Sequence, residues 1–72
     1  MISTEDFDKV EMRVGTVHAR TAGGRQLICC VNLAPMHIGS VKSEVRILGA
    51  EAAQGVVLLA PSQPVQNGDR IF

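Results

Sequence analysis

The sequence predicts a small all-β domain that begins with one short helix. Its 72 residues are 46% hydrophobic but include only two aromatics, Phe7 and Phe72, so the apolar side chains are chiefly Val, Ile, Leu and Ala. These residues occur in short runs separated by Gly, Pro and Asn, which is the pattern of short strands and turns. A chain of this length fits one domain and buries only about 60% of its unfolded surface. Its core is therefore marginal unless disulfides, a metal or a partner chain adds to it.

Local signals predict the helix and about five strands. Ser3 and Asp6 have the spacing of a helix cap, which predicts a short helix over residues 4–8. Apolar residues alternate from Val10 onwards, and the change of phase after Gly15 predicts a β-bulge. Four more strands are predicted at residues 25–33, 43–49, 56–60 and 69–72. The dipeptide Asn67-Gly68 predicts a turn before the last of them. In the strand over 43–49, Val45 and Ile47 are predicted to face inward.

The strand over residues 25–33 contains an unbroken apolar run at 27–31, which predicts burial on both faces. Cys29 and Cys30 are neighbours in this run, so their side chains point to opposite faces and are expected to be reduced apolar residues, not a disulfide. Together with His18 and His37 they show no metal-ligand spacing. No metal and no cofactor is predicted.

The charges are divided unevenly along the chain. Residues 1–11 carry four acids and one Lys, a balance of −3, and residues 12–72 carry six cations and three acids, a balance of +3. This basic body permits a polyanion to bind on one face, and an ordinary solvated surface is the alternative. The acidic start has no secretory signal pattern and no apolar stretch has the length of a membrane span, so a cytoplasmic protein without membrane contact is expected.

Five segments resemble one known family in sequence and in order. DFDKVEMRVG, from Asp6 to Gly15, is similar to the opening of the tRNA-binding domain family, whose fold is an OB-type barrel. VNLAP at 31–35, KSEVRILG at 42–49, GVVLLAP at 55–61 and PVQNGDRIF at 64–72 follow in the family's order, and the KSEV form is most similar to CsaA-like members. The resemblance is lost between Arg20 and Arg25, where the family has its second and third strands and a helix. It implies one domain over residues 1–72, a truncated OB-fold-like small barrel or sheet that lacks these middle elements.

The loss of middle strands leaves strand edges without a partner, and such edges pair readily with another chain. The CsaA-like members of the family are homodimers. We therefore expect a homodimer in which strands of two chains complete one sheet or barrel, with exchange of elements between them.

The resemblance implies that the protein binds tRNA or another structured RNA. Stacking on single strands is not expected, because the chain has so few aromatic side chains. Lys and Arg would neutralise phosphates, while Asn and Ser would bond to base edges or 2′-hydroxyls. The residues implied as contacts are Asn32, Lys42, Ser43 and Glu44, with Arg13, Arg46 and Arg70 as phosphate contacts.

Each of these residues also has a structural interpretation. The charged ones can be solvated positions on strands, Ser43 can bond to its own turn, and Asn32 can satisfy a turn before Pro35. A second hypothesis is therefore an oligomeric protein-interaction or chaperone-like module that has lost RNA binding. An enzyme is not predicted, since the chain has no nucleophile motif, paired acids or phosphate-binding Gly loop.

Overall fold

The computed structural model describes residues 1–17, 23–39, 41–43 and 45–72, and for residues 36–38 and 41–43 it describes the backbone alone. Within these ranges short strands dominate and one helix is present, which confirms the all-β prediction. The strands are more numerous and shorter than predicted. In chain order the elements are α1 (Thr4–Asp8), β1 (Met12–Val17), β2 (Arg25–Cys30), β3 (Met36–Ile38), β4 (Val41–Ser43), β5 (Arg46–Ile47), β6 (Gly49–Ala52), β7 (Gly55–Leu58) and β8 (Arg70–Ile71).

The N-terminal helix forms where its cap predicts it. Ser3 Oγ accepts a hydrogen bond from Asp6 N at 3.1 Å, and Ser3 N donates to the Asp6 carboxylate at 3.4 Å. Each bond satisfies a backbone N–H that has no partner inside the helix. All residues of α1 are exposed. The helix is therefore stabilised mainly by its cap and not by burial.

The central sheet has four antiparallel strands in the order β5-β2-β1-β8. β1 and β2 are paired without interruption from Met12 opposite Cys30 to Val17 opposite Arg25, so the predicted β-bulge at Gly15 is wrong. Gly15 stays in register opposite Leu27. The phase change in the sequence has another cause: Val14 is buried on one face of β1, and Val17 is half-buried on the other.

The core lies around β2, as its apolar run predicts. The buried hydrophobic residues in the described ranges are Val14, Leu27, Cys29 and Cys30, and Leu27 is completely inaccessible. By register, Leu27 and Cys29 lie on one face of β2 and Cys30 on the other, so the prediction of two-sided burial is confirmed. Both cysteines are free thiols. Burial raises the pKa of the Cys29 thiol.

The strand predicted over residues 43–49 is divided, and its predicted inward residues are wrong. Val45 is 47% exposed and Ile47 is 36% exposed, because β5 lies at the edge of the central sheet. Leu48 separates β5 from β6, which pairs with β7 as a second, two-stranded sheet. Leu48 N donates to Ile28 O at 2.9 Å, Leu59 N donates to Leu48 O at 3.1 Å, and Ile28 N donates to Leu59 O at 3.1 Å. This three-way junction joins the two sheets.

Candidate nucleic-acid interface

Two arginines lie side by side on the central sheet. Arg13 of β1 is directly opposite Arg70 of β8 in the antiparallel register. Directly opposed residues of paired strands point to the same face, with Cβ atoms about 4.5–5.5 Å apart. Like charges at this spacing repel each other. An anionic group bound between them would remove that repulsion, and a phosphate fits this chemistry.

The Arg13 guanidinium is held in place by two acceptors. Its Nε and Nη2 donate to Glu11 Oε1 at 3.1 and 2.9 Å, and its Nη1 donates to Gly68 O at 3.2 Å. A guanidinium has five N–H donors, so two remain for a ligand. The Arg13 side chain is 38% exposed and that of Glu11 is 45% exposed. A ligand can therefore reach the Arg13 guanidinium, but it must compete with the Glu11 carboxylate.

The Gly68 carbonyl is positioned by the turn before β8. Gly68 adopts a φ of +93°, which favours glycine, and its N–H donates to Val14 O at 2.7 Å. Asn67 Nδ2 donates to Thr16 Oγ1 at 2.9 Å, which ties the side of the turn to β1. The sequence signal Asn67-Gly68 predicted the turn. It gave no sign that the turn supports Arg13.

Gln26 holds the chain that approaches this turn. Its Nε2 donates to Val65 O at 2.5 Å, and its Oε1 accepts from Val65 N at 3.1 Å. The Gln26 amide therefore satisfies both backbone groups of Val65, as the backbone of a neighbouring strand would. An open groove of about 300 Å³ lies beside it, lined by Arg25, Gln26 and residues 60–64. Gln26 and Gly68 were not predicted as parts of this region, because their partners are distant in the chain. Glu11 was not predicted either, although Arg13 is only two residues away, because spacing along a strand does not show which charged side chains pair.

Arg46 does not join the arginine pair. It is opposite Cys30 on β2, whereas Arg13 is opposite Cys29, and adjacent residues of a strand point to opposite faces. Arg46 therefore lies on the other face of the central sheet from Arg13 and Arg70. The three arginines named from the sequence do not form one patch.

The Asn32 side chain connects the segment after β2 to the segment before β1. Its Oδ1 accepts from Glu11 N at 2.9 Å, and its Nδ2 donates to Lys9 O at 2.6 Å. These bonds connect the end of β2 to the segment between α1 and β1. The amide thus has the structural role that the sequence left open as an alternative, although with a different partner from the turn before Pro35.

Two of the three remaining predicted contacts lie in a separate part of the fold. Lys42 and Ser43 lie on β4, which pairs with β3 so that Lys42 is opposite His37 and Ser43 is opposite Met36. This two-stranded sheet is distinct from the central sheet. Glu44 lies outside the described residues. An RNA contact by any of these three stays a prediction.

A metal site and a membrane span each need features that the described ranges lack. No group of three or more His, Cys, Asp or Glu residues there could hold a metal ion. None of the helices in the same ranges has the length and apolar character needed to cross a bilayer.

The fold is that of a small OB-like all-β domain, and it is similar to solved CsaA structures. No protein-family profile matches the chain. It is similar to the crystal structure of the CsaA chaperone protein from Picrophilus torridus, with a TM-score of 0.84, 25% identity and coverage of 100% of both chains. It is also similar to the chaperone CsaA from Bacillus anthracis str. Ames, with a TM-score of 0.85, 27% identity and coverage of 100% of this chain and 99% of that one. The CsaA-like resemblance seen in the sequence is confirmed; the absence of the family's middle elements stays a prediction.

Proposed function

We propose that this protein binds tRNA or another structured RNA as a cytoplasmic homodimer. The observation that carries the proposal is the direct opposition of Arg13 and Arg70 on one face of the central sheet. Such a pair binds phosphate oxygens regardless of sequence, which suits recognition of RNA by shape. Lys42, Ser43 and Glu44 are secondary candidates.

Salt dependence tests this mode of binding. If each chain neutralises two phosphates, a dimer contacts four, and the logarithm of the affinity falls with the logarithm of salt with a slope near −3.6. Between about 50 and 200 mM salt the affinity then drops about 150-fold. A fluorescence-anisotropy titration of labelled bulk tRNA measures this drop. Undetectable binding at both salt concentrations contradicts the proposal.

Two charge reversals on opposite faces provide a matched comparison. Arg70→Glu removes one phosphate contact per chain, so the salt slope of a dimer should become less steep by about two. Arg46→Glu makes the same charge change on the other face and should leave the slope as in the wild type. Equal losses in both variants would indicate a nonspecific effect of net charge. Lys42→Glu then shows whether the β3–β4 sheet also contacts RNA.

A chaperone-like function is the second candidate, and exposed apolar side chains favour it. Val57 and Leu59, two residues apart in the chain, are 56% and 43% exposed, and Val56, which points to the other face of β7, is 68% exposed. Apolar patches on a soluble domain commonly bind other polypeptides. Both similar solved structures are described as chaperones. Suppression of aggregation of a chemically unfolded reporter enzyme tests this candidate, with Val56→Ser/Val57→Ser as the variant expected to lose suppression.

A further inference from the structure

The turn before β8 contains an asparagine followed by a glycine, the pair in which an asparagine side chain is most reactive towards its own backbone. Asparagine is chemically labile, and a glycine, which has no Cβ, leaves its backbone nitrogen open to approach by the preceding side chain. The chain has two asparagines. Asn32 precedes Leu33, whose side chain hinders the same approach, whereas Asn67 precedes Gly68. The sequence therefore restricts the reaction to Asn67.

In the folded chain, hydrogen bonds hold the groups that would react. Gly68 N, which would be the nucleophile, donates to Val14 O at 2.7 Å. Asn67 Nδ2 donates to Thr16 Oγ1 at 2.9 Å, and Asn67 Oδ1 accepts from Gln26 Nε2 at 3.2 Å. The reaction must break two of these bonds, because the nucleophile loses the proton that it donates to Val14 and the side-chain nitrogen leaves as ammonia.

We propose that Asn67 is a deamidation site whose reaction requires the turn before β8 to open. Gly68 N loses its proton and attacks Asn67 Cγ, the Cγ–Nδ2 bond breaks, and the nitrogen leaves as ammonia to give a cyclic imide. Both residues are exposed, so water can then open the ring. Hydrolysis at Cγ gives aspartate, and hydrolysis at the main-chain carbonyl gives isoaspartate. Water is consumed and ammonia is released, so no oxidant or other co-reactant is needed.

The product changes the contacts of the turn. A carboxylate has no N–H to donate to Thr16 Oγ1. In isoaspartate the main chain also gains a methylene group, which moves Gly68 relative to β1. Gly68 O accepts from Arg13 Nη1 at 3.2 Å, so this movement removes one of the two acceptors that hold Arg13. Because hydrolysis of the imide is not reversed in water, modified chains accumulate as the protein ages.

Peptide mass spectrometry, which detects the conversion of an amide to a carboxylate, tests the proposal with Asn32 as the internal control. The wild type is incubated in native buffer and in guanidinium chloride. Each hydrogen bond changes an equilibrium by about 2- to 12-fold, so the loss of two should make deamidation of Asn67 about 5- to 150-fold faster in denaturant. Asn32 should convert much more slowly than Asn67 in denaturant. Equal rates at Asn67 with and without denaturant, or no conversion of Asn67 in denaturant, overturn the proposal.

Thr16→Val separates opening of the turn from unfolding of the protein. It keeps a β-branched side chain on β1 and removes the hydroxyl that binds the Asn67 amide. In native buffer its Asn67 should deamidate about 2- to 12-fold faster than in the wild type, since one hydrogen bond is lost. Thr4→Val makes the same change in α1 and should leave the rate as in the wild type. A folded Thr16→Val with the wild-type rate overturns the role of the turn; if Thr16→Val does not fold, the comparison of the wild type with and without denaturant decides.

Discussion

Replacement of Asn32 separates its structural role from a contact with RNA. Its amide makes two hydrogen bonds to the backbone, with Glu11 N and Lys9 O, and both connect segments that are distant in the sequence. Each such bond contributes about 0.5–1.5 kcal/mol net, so Asn32→Ala should lower the free energy of unfolding by about 1–3 kcal/mol. At about 0.05–0.15 kcal/mol per residue, the whole domain has roughly 4–11 kcal/mol. The loss is therefore a large fraction of the stability.

Urea unfolding followed by circular dichroism measures this change, at one protein concentration because a dimer unfolds in a concentration-dependent way. Asn32→Asp is the matched variant: it keeps the acceptor for Glu11 N but places a second acceptor against Lys9 O, so a loss of at least one hydrogen bond, about 0.5–1.5 kcal/mol, is expected. The tRNA affinity of each folded variant should equal that of the wild type. An unchanged urea midpoint for Asn32→Ala with a reduced tRNA affinity would refute the structural interpretation.

Three further changes follow from single contacts. Glu11→Gln should raise tRNA affinity by up to about fivefold in anisotropy titrations. The reason is that the exposed ion pair with Arg13, worth about 0.2–1 kcal/mol, no longer competes with phosphate for the guanidinium. A fall in affinity would contradict the phosphate role of Arg13. Leu27→Ala should cost about 3–5 kcal/mol and leave much of the protein unfolded in a thermal scan, since Leu27 is completely buried; an unchanged melting temperature would contradict the assigned core. Because burial raises the pKa of the Cys29 thiol, stability should be full below the unfolded pKa of about 8.5 and fall as the pH rises above it. Urea midpoints across this range should show the fall, and Cys29→Ala should reduce it.

Local signals predicted the elements whose causes are local. The cap of α1 is formed by Ser3 and Asp6, three residues apart, so the sequence alone was sufficient. The two-sided burial of β2 followed from its unbroken apolar run, because no polar face was available for solvent. The turn at Asn67-Gly68 was likewise predicted from two adjacent residues.

Features that depend on distant partners were missed or misassigned. The phase change at Gly15 has two possible causes: a bulge, or a strand whose side chains are partly buried on both faces. The two give the same pattern in the sequence, and the uninterrupted pairing of β1 with β2 shows that the second is correct. The β6–β7 hairpin was not predicted, because its turn at Ala53-Gln54 lacks the usual turn residues. Val45 and Ile47 alternate correctly for a strand, but alternation does not reveal that the strand is an edge.

Prediction of the candidate site was limited in the same way. Arg13, Arg46 and Arg70 were equivalent in the sequence, and register alone places Arg46 on the opposite face. Glu11 was identified only as part of the acidic segment, although it holds the Arg13 fork. Residue type therefore predicted the kind of contact, and pairing between strands decided which contacts can act together.

The arginine pair connects the stability of the sheet to the proposed ligand. Like charges directly opposite on paired strands are destabilising. At Arg13 the Glu11 carboxylate and the Gly68 carbonyl offset part of that repulsion, whereas Arg70 is exposed and has no ion pair within the described ranges. A bound phosphate would satisfy both guanidinium groups and relieve the repulsion, so folding and anion binding favour each other. The feature that weakens the sheet without a ligand is thus the feature that would bind RNA.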